Sequence, residues 1–425
     1  MNLMANNLID ELRWRGLLFD QTEGAEEYLA KEKVTAYIGF DPTSDSLHVG
    51  SLLPIMALVH LQRCGHTPIG LVGGATGMIG DPSGKSKERN LLDEITLQRN
   101  VNGIRNLLEK FLDFDATENP AKLVNNFEWF GPLSFIHILR DVGKHFPMSS
   151  MLNKESVKRR VSAGGISYTE FSYMILQAYD FLHLHRTENC TLQMGGSDQW
   201  GNITAGTELV RRSADAKVHG VVMPLVTNST GEKFGKTVDG AVWLSPEKTS
   251  PYKFYQFWLN QSDDNALQFI KYFTLCTQEE FETIKTKHMA EPHLREAQRY
   301  LARDVTQRVH GTEILASVER STAALFGGDV TSLSAQEIEE VFQEAPSGQL
   351  AKTDQEISSL LDGMIAVGMS KSKGEARRLI QGGGVRVNGE KISDTQIKLN
   401  DLQPIEDRLF VLRKGAKKYF LLRWE

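Results

Sequence analysis

Short apolar runs that alternate with helices and glycine-rich turns constrain the fold of this chain more than any other feature. Residues 34–38 (VTAYI) predict a strand, residues 52–61 predict a helix, and residues 68–72 (PIGLV) predict a second strand. Further short β runs follow at residues 191–194 and 221–226. Because parallel strands are joined through helices, this alternation predicts a parallel α/β sheet in the first half of the chain.

The segment 37–51, YIGFDPTSDSLHVGS, completes the first strand and leads into the first helix of that pattern. A strand, a glycine-containing turn and a helix start outline a phosphate site, because the first turn of a helix presents unpaired N–H groups and the positive end of its dipole. His48 and Gly50 would lie at that helix start. Taken alone, the segment favours a simpler interpretation, in which His48 is a polar flanking residue and Gly50 serves packing.

The glycine-rich stretch GGATGMIGDPSGKS, residues 73–86, invites comparison with a P-loop. A P-loop has four residues between its first glycine and Gly-Lys-Ser/Thr. Here Gly80 and Gly84 are separated by three, and Pro82 removes a backbone donor, so we reject that interpretation. The glycines would instead let the backbone approach a ligand, with Asp81 facing an ammonium or a hydroxyl. A plain turn capped by Asp81 is the alternative.

A predicted helix at residues 166–184, ISYTEFSYMILQAYDFLHL, combines an apolar composition with one polar face. Tyr173, Gln177 and Asp180 are spaced i, i+4 and i+7 and therefore share that face. Buried polar groups need partners, so an internal hydrogen-bond network or a solvated face would explain the spacing. The sharper hypothesis is a polar pocket for a small zwitterion that carries a hydroxyl.

Two later segments place polar groups after predicted strands. In TLQMGGSDQWGNIT, residues 191–204, Gly196 and Asp198 follow a β run, where open α/β sheets bind ligands; a simple helix N-cap is the alternative. In TNSTGEKFGKT, residues 227–237, Lys233 and Lys236 are spaced by three on a predicted glycine-containing loop. Two ammonium groups suit a polyphosphate, although a solvated basic turn explains the string as well.

Length and charge suggest several domains and a nucleic-acid partner. The chain has 425 residues, 24% of them charged, and only 3 cysteines, which favours a reducing compartment without a disulfide framework or a zinc site. Its net charge is −6, but residues 351–425 hold 14 Lys and Arg against 10 Asp and Glu, a net of +4. A basic end on an acidic body is typical of a nucleic-acid-binding appendage, and also of ordinary surfaces. We expect no signal peptide and no membrane-spanning run.

These blocks, in this order, resemble the bacterial tyrosyl-tRNA synthetases, a family of class I aminoacyl-tRNA synthetases, over nearly the whole chain. The segment 37–51 is similar to the HIGH-type region of the family, and KFGKT at 233–237 is similar to its KMSKS-type loop. The segment SKSKGEARRLIQGGGVRVNG, residues 370–389, resembles a small RNA-binding module shared with a ribosomal protein. MSKS at 369–372 looks more like KMSKS, but it lies beyond the helical region, whereas the catalytic loop should follow the last sheet strand.

The resemblance implies a reaction in two steps. The carboxylate of tyrosine attacks the α-phosphate of ATP to give tyrosyl-adenylate and pyrophosphate, and the 3′ end of tRNA(Tyr) then takes the tyrosyl group. It places Tyr37 and Asp180 at the phenol hydroxyl. The residues that it places at or near the ammonium end are Asp81, Asn126, Tyr173, Gln177 and Gln199.

The resemblance also implies an ATP site, built from Gly39, Asp41, His48, Gly50, Ser51, Gly196, Asp198, Lys233 and Lys236. His48, Lys233, Lys236 and Thr237 would be catalytic. Mg²⁺ would arrive with ATP, held largely by its phosphates, and neither a tightly bound cofactor nor a metal site is expected. The terminal module would contact RNA phosphates through Lys371, Lys373, Arg377, Arg378 and Lys417.

The architecture that follows is an α/β chain in three domains. We predict a Rossmann-like parallel-sheet catalytic domain at 1–248 with a helical insertion at about 132–165. An all-helical domain on the anticodon side follows at 249–345, and a linker at 346–354 precedes a small α+β RNA-binding domain at 355–425. The family resemblance implies a homodimer, with its interface near the insertion, and a cytoplasmic location.

One position departs from the family pattern. The family usually ends its first signature with histidine, whereas this chain has Ser51, which can donate a hydrogen bond but cannot carry positive charge. Two alternatives therefore stay open: a tryptophanyl-tRNA synthetase relative, against which the pair Tyr37 and Asp180 counts, and a non-catalytic RNA-binding paralogue, against which His48, Lys233 and Lys236 count.

Overall fold

The computed structural model describes residues 7–83, 93–226, 234–237, 240–325, 329–343, 345–352, 358–415 and 418–424. The chain forms two compact units. The first comprises residues 1–249 and 257–305, and the second comprises residues 250–256 and 306–425. This division does not follow the predicted boundary near residue 345, because the end of the helical region belongs to the same unit as the terminal module.

A six-stranded sheet organises the first unit. Its strands are β1 Asp20–Gln21, β2 Thr35–Phe40, β3 Thr67–Val72, β4 Lys122–Asn125, β5 Cys190–Gly196 and β6 His219–Met223. They lie in the order β1-β6-β5-β2-β3-β4, with β2 to β6 parallel and β1 antiparallel at the edge. The chain moves outward from β2 in both directions, which is the doubly wound order of a Rossmann-like fold. The predicted α/β parallel sheet is confirmed.

Helices connect and cover these strands. They are α1 Leu8–Arg15, α2 Ala25–Lys31, α3 Leu52–Arg63, α4 Glu94–Leu108, α5 Phe127–Phe130, α6 Phe135–His137, α7 Met148–Leu152, α8 Glu155–Ser162, α9 Tyr168–Glu188 and α10 Trp200–Ala214. A π-helical turn, Ile138–Val142, lies between α6 and α7. A short antiparallel pair of two-residue strands, β7 Lys236–Thr237 and β8 Gly240–Ala241, follows the sheet.

The long helix α9 is fixed at its beginning by two polar contacts. The Ser167 hydroxyl accepts a hydrogen bond from the Glu170 N–H at 3.1 Å and caps the helix. The Glu170 carboxylate, 3% exposed, receives a two-pronged bond from the Arg160 guanidinium of α8, with both N···O distances 2.7 Å. The helix ends at Asn189, which adopts a left-handed conformation (φ 50°).

The remaining helices are α11 Pro251–Leu259, α12 Asp263–Phe273, α13 Gln278–Ala290, α14 Glu296–His310, α15 Thr312–Leu325, α16 Ala335–Val341, α17 Leu360–Ala366 and α18 Lys373–Gln381. A second sheet contains β9 Ser347–Leu350, β10 Val385–Val387, β11 Glu390–Lys391, β12 Leu409–Lys414 and β13 Lys418–Trp424, in the order β11-β10-β12-β13-β9. One face packs on α17 and α18, and the other packs on α15 and α16.

The predicted linker at 346–354 is partly wrong. Residues 347–350 form β9, which pairs in parallel with β13 so that Ser347 lies opposite Leu421 and Leu350 lies opposite Trp424. The sequence Ser-Gly-Gln-Leu resembles a turn, but the free edge of β13 provides backbone partners that composition does not reveal.

Candidate active site

A cavity of about 330 Å³ opens where β2 and β5 end, at the point where the strand order reverses. Open α/β sheets bind their ligands at this position. The residues that line it include most of the predicted site residues: Tyr37, Gly39, Asp41, His48, Ser51, Asp81, Tyr173, Gln177, Asp180, Gly196, Asp198 and Gln199. Segments far apart in the sequence therefore meet at one site.

The three polar residues of α9 form one wall of the cavity, as their helical spacing predicted. Tyr173 is 6% exposed and Asp180 is 2% exposed. The Tyr173 hydroxyl donates to Asp41 Oδ2 at 2.8 Å, and the Thr76 hydroxyl donates to Asp41 Oδ1 at 2.9 Å. Asp41, which we predicted at the ATP site, thus holds Tyr173 in place through hydrogen bonds within the protein.

Asp180 lies at the buried end of the cavity and is oriented by two donors. Asn126 Nδ2 donates to Asp180 Oδ2 at 3.2 Å, and Trp129 Nε1 donates to Asp180 Oδ1 at 2.9 Å. Burial raises the pKa of Asp180 well above its usual range, while these two hydrogen bonds act in the opposite direction. Asn126 is completely buried and is not among the residues that line the cavity, so it supports Asp180 from behind.

Tyr37 and Gln193 face each other across β2 and β5 and bring polar atoms to the same buried end. They are 1% and 2% exposed, and they are paired in the register of the two strands. The Tyr37 hydroxyl and Gln193 Oε1 make no hydrogen bond to the part of the chain that the structure describes. Burial, and then the Asp180 charge, raise the pKa of Tyr37 well above its usual range. Such unpaired atoms are costly unless a ligand satisfies them.

A second polar cluster surrounds Asp81. Gln199 Nε2 donates to Asp81 Oδ2 at 2.7 Å, and the Ser83 N–H donates to Asp81 Oδ1 at 2.9 Å. Asn202 on α10 is 2% exposed and donates to Gln177 Oε1 at 2.9 Å. The carboxylate and the two glutamines are thereby held as one unit against the cavity.

The His48 end of the cavity has a different construction. Residues 49–51 form a single 3-10 turn that leads into α3, and His48 Nδ1 accepts a hydrogen bond from the Gly50 N–H at 3.0 Å. A Cβ atom at position 50 would lie 2.7 Å from the His48 ring, so glycine is required there. Gly50 therefore orients the ring of His48 through its N–H, and its place in the ATP site stays a prediction. Ser51 lines the cavity and does not cap α3.

The loop that carries the two predicted lysines is described in part. Lys233 lies outside the described residues, and the backbone of Lys236 and Thr237 forms β7. Between them, Phe234 is 6% exposed and packs on Phe257, Trp258, Phe269 and Phe273. This aromatic cluster anchors the loop at the first unit.

The predicted RNA-binding residues lie around the first turn of α18. Lys371, Lys373, Arg377 and Arg378 are exposed, and Lys373 Nζ lies 2.6 Å from Asp362 Oδ1; Lys417 lies outside the described residues. Met369 and Ser370, from the second KMSKS-like string, are 2% and 4% exposed within the terminal module. The first two residues of the string MSKS are therefore buried inside the terminal module.

Sequence reasoning missed Thr76, Trp129, Gln193, Asn202 and Trp243, which either line the cavity or hold a residue that does. Gln193 left a weak signal, since it is a polar residue within an apolar strand. Thr76 and Asn202 lie within segments that the sequence singled out, but neither residue gave a signal of its own, and Trp129 and Trp243 lie outside those segments. None of the helices that the structure describes is long and apolar enough to cross a membrane.

Comparisons with known proteins agree with this fold. A family model described as tRNA synthetases class I (W and Y) matches residues 29–327, and one described as the tyrosine–tRNA ligase SYY-like C-terminal domain matches residues 337–422. The tyrosine–tRNA ligase of Roseiflexus castenholzii is 50% identical over 98% of this chain and 99% of its own. The tyrosine–tRNA ligase of Geobacillus stearothermophilus is 49% identical over 98% of this chain and 100% of its own.

Solved structures agree. A C-terminally truncated mitochondrial tyrosyl-tRNA synthetase of Aspergillus nidulans superposes with a TM-score of 0.69 at 28% identity, over 76% of this chain and 95% of its own. A tryptophanyl-tRNA synthetase of Plasmodium falciparum shares the fold, with a TM-score of 0.51 at 15% identity, over 78% of this chain and 87% of its own. The chain belongs to the class I aminoacyl-tRNA synthetases of the tryptophan and tyrosine group, within the family of tyrosine–tRNA ligases.

Proposed function

We propose that this protein activates L-tyrosine with ATP to give tyrosyl-adenylate and pyrophosphate, and then transfers the tyrosyl group to the 3′ end of tRNA(Tyr). The observation that carries the proposal is the pair of buried oxygens at the end of the cavity, the Asp180 carboxylate and the unpaired Tyr37 hydroxyl. The near 50% identity to tyrosine–tRNA ligases over almost the whole chain supports it.

In this proposal the phenol hydroxyl of tyrosine lies between Tyr37 and Asp180. Asn126 and Trp129 donate to Asp180, so its remaining lone pairs are available to accept the phenol proton. Phenylalanine would leave these buried groups unpaired; discrimination against phenylalanine by tyrosyl-tRNA synthetases is a well-known example of this asymmetry. The ammonium group would lie near Asp81, Tyr173 and the two glutamines that Asn202 contacts, Gln177 and Gln199.

We assign the triphosphate to the opposite end, beside His48 and Ser51, with Gly39, Gly196 and Asp198 along the wall. The tyrosine carboxylate attacks the α-phosphate and pyrophosphate leaves. This step needs alignment of the two substrates and stabilisation of the charge on the pentavalent phosphate. Lys233 and Lys236, with Thr237, would supply that stabilisation, and Mg²⁺ would enter with ATP, held largely by its phosphates.

For tRNA, we propose phosphate contacts by the terminal module through Lys371, Lys373, Arg377, Arg378 and Lys417, with the helices at 249–345 on the anticodon side. The exposed basic side chains around α18 support the first assignment, because cations that face solvent can replace the counterions of RNA. Lys373 would exchange its bond to Asp362 for a phosphate.

We further propose a cytoplasmic homodimer with an interface at the insertion. Large apolar side chains are exposed in the insertion and directly beside it: Phe127, Phe135, Ile136, Leu139, Met148, Leu152, Val161 and Tyr168. A monomer seldom exposes so many in one stretch of sequence, whereas an obligate interface requires them. The cytoplasmic assignment is supported by three buried cysteines that form no disulfide.

The test of activity is ATP–pyrophosphate exchange that depends on the amino acid. We expect exchange with tyrosine and far less with tryptophan, the substrate of the other branch of the matched group. Preference for tryptophan would reassign the substrate, and no exchange with either amino acid would favour a non-catalytic RNA-binding paralogue.

A further inference from the structure

The turn that carries His48 is supported on its inner side by α4. We call residues 41–48 the His48 turn. Asn100 of α4 is 2% exposed, and its Nδ2 donates to the Pro42 carbonyl at 3.0 Å. One turn later, a Cβ atom at Gly103 would collide with the carbonyl oxygen of Asp45. The backbone of α4 therefore packs directly against the His48 turn, and the turn has little freedom on that side.

On its other side, the His48 turn pairs with the segment that follows the lysine loop. The Val49 N–H donates to the Val242 carbonyl at 2.9 Å, and the Leu244 N–H donates to the Leu47 carbonyl at 2.8 Å. Between these bonds the ring of Trp243 meets the ring of His48 edge to face, with centroids 6.2 Å apart and planes at 74°. Trp243 lines the cavity beside His48.

Lys248 contacts both the His48 turn and Trp243. Its Nζ lies 2.7 Å from Asp45 Oδ1 in the His48 turn and 4.9 Å from the centroid of the Trp243 ring. The backbone N–H of Trp243 donates to the Thr249 hydroxyl at 2.9 Å. The Lys248 ammonium, ahead of a weaker contribution from Arg99, lowers the pKa of Asp45 against the effect of burial. One side chain thus contacts both the His48 turn and the tryptophan that touches His48.

We propose that Lys248 and Trp243 are positioning residues for His48 in the ATP-dependent step. Lys248 draws the His48 turn and residues 242–249 together and holds the Trp243 ring against His48. Because residues 242–249 directly follow β8, which pairs with β7, Lys248 also restrains the strand pair that carries Lys236. Small displacements of groups that align a phosphate cost rate, so Lys248 affects adenylate formation without touching the reacting atoms. This inference rests on the proposed function.

The test compares two substitutions of Lys248. Lys248→Met keeps the aliphatic stem and removes the ammonium, whereas Lys248→Arg keeps a cation. We expect Lys248→Met to slow single-turnover adenylate formation by roughly twofold to fivefold, the upper part of the range for a partly exposed pair, and to raise the KM for ATP. The KM for tyrosine should stay unchanged, and Lys248→Arg should restore most of the rate. The matched control is Lys122→Met, which breaks a 2.6 Å pair with Glu188 at the far end of α9.

A double variant separates positioning from general destabilisation. If Lys248 acts through Asp45, then Asp45→Asn with Lys248→Met should be no slower than the slower single variant. The inference is overturned if Lys248→Met behaves like Lys122→Met, or if it raises the KM for tyrosine as much as that for ATP. It is also overturned if Lys248→Arg is as slow as Lys248→Met. A wild-type protein without tyrosine-dependent exchange would instead refute the proposed function.

Discussion

The two ends of the cavity are built in different ways. At the amino-acid end, Asp180 is buried on a long helix and oriented by the side chains of Asn126 and Trp129. At the ATP end, His48 lies on a turn, and its hydrogen bond to Gly50 is local. Discrimination needs fixed, desolvated partners for the substrate hydroxyl, whereas transfer of a charged phosphate group needs cations and donors aligned with the reacting atoms. We therefore expect substitutions at one end to change selectivity and substitutions at the other to change rate.

The largest expected effect is at the ATP end. Lys236→Ala should slow tyrosyl-adenylate formation on the order of 100-fold or more, because it removes a charge that stabilises the transition state. The dissociation constant for tyrosine, measured by equilibrium binding, should change by less than about threefold, since the amino-acid end is intact. Lys285→Ala, an exposed lysine of α13, is the control. An unchanged rate in single-turnover experiments would remove Lys236 from the mechanism.

Next in size is the loss of Asp180. Asp180→Ala should reduce the preference for tyrosine over phenylalanine by roughly tenfold to a hundredfold, because one partner of a buried hydroxyl disappears. The ratio of kcat/KM for the two amino acids in the exchange assay measures this preference. Glu188→Gln, at the exposed end of the same helix, should leave it unchanged. If Asp180→Ala discriminates as well as the wild type, the phenol hydroxyl binds elsewhere.

The sequence alone predicted some features of the cavity and of the fold but not others. The face of Tyr173, Gln177 and Asp180 followed from helical spacing, and the parallel α/β sheet followed from the alternation of strands and helices, so local patterns sufficed. Trp129 lies on a four-residue helix, and Asn202 lies within the segment 191–204 without a sequence signal of its own, so only the folded chain reveals their roles. The same holds for β9, whose partner strand is more than 60 residues away.

A smaller effect concerns the pH dependence of activity at the amino-acid end of the cavity. The indole N–H of Trp129 stabilises the ionised form of Asp180, so Trp129→Phe should raise the pKa of that carboxyl further. If Asp180 must be ionised to accept the phenol proton, kcat/KM for tyrosine falls as pH drops through its pKa. The acidic limb of the profile should then move to higher pH in Trp129→Phe, with a loss of kcat/KM of about tenfold on that limb. A limb that stays in place would show that this hydrogen bond does not control Asp180.

The smallest effect concerns the terminal module and should leave both ends of the cavity intact. Changing Lys371, Arg377 and Arg378 together to glutamate should lower aminoacylation by about tenfold and reduce the salt slope of tRNA binding by about 2 to 3 units. Exchange with tyrosine should be unchanged. Substitution is preferable to deletion of residues 351–425, because β12 and β13 cover apolar side chains of α16. Normal charging at 0.15 M salt would contradict the RNA-binding assignment.

The central claim is that the buried end of the cavity recognises a phenol hydroxyl. Its most direct test is the ratio of kcat/KM for tyrosine and phenylalanine in ATP–pyrophosphate exchange by the wild-type protein. The unpaired Tyr37 hydroxyl and the oriented Asp180 carboxylate predict a preference for tyrosine of at least about a thousandfold. Activation of phenylalanine within tenfold of tyrosine would contradict it.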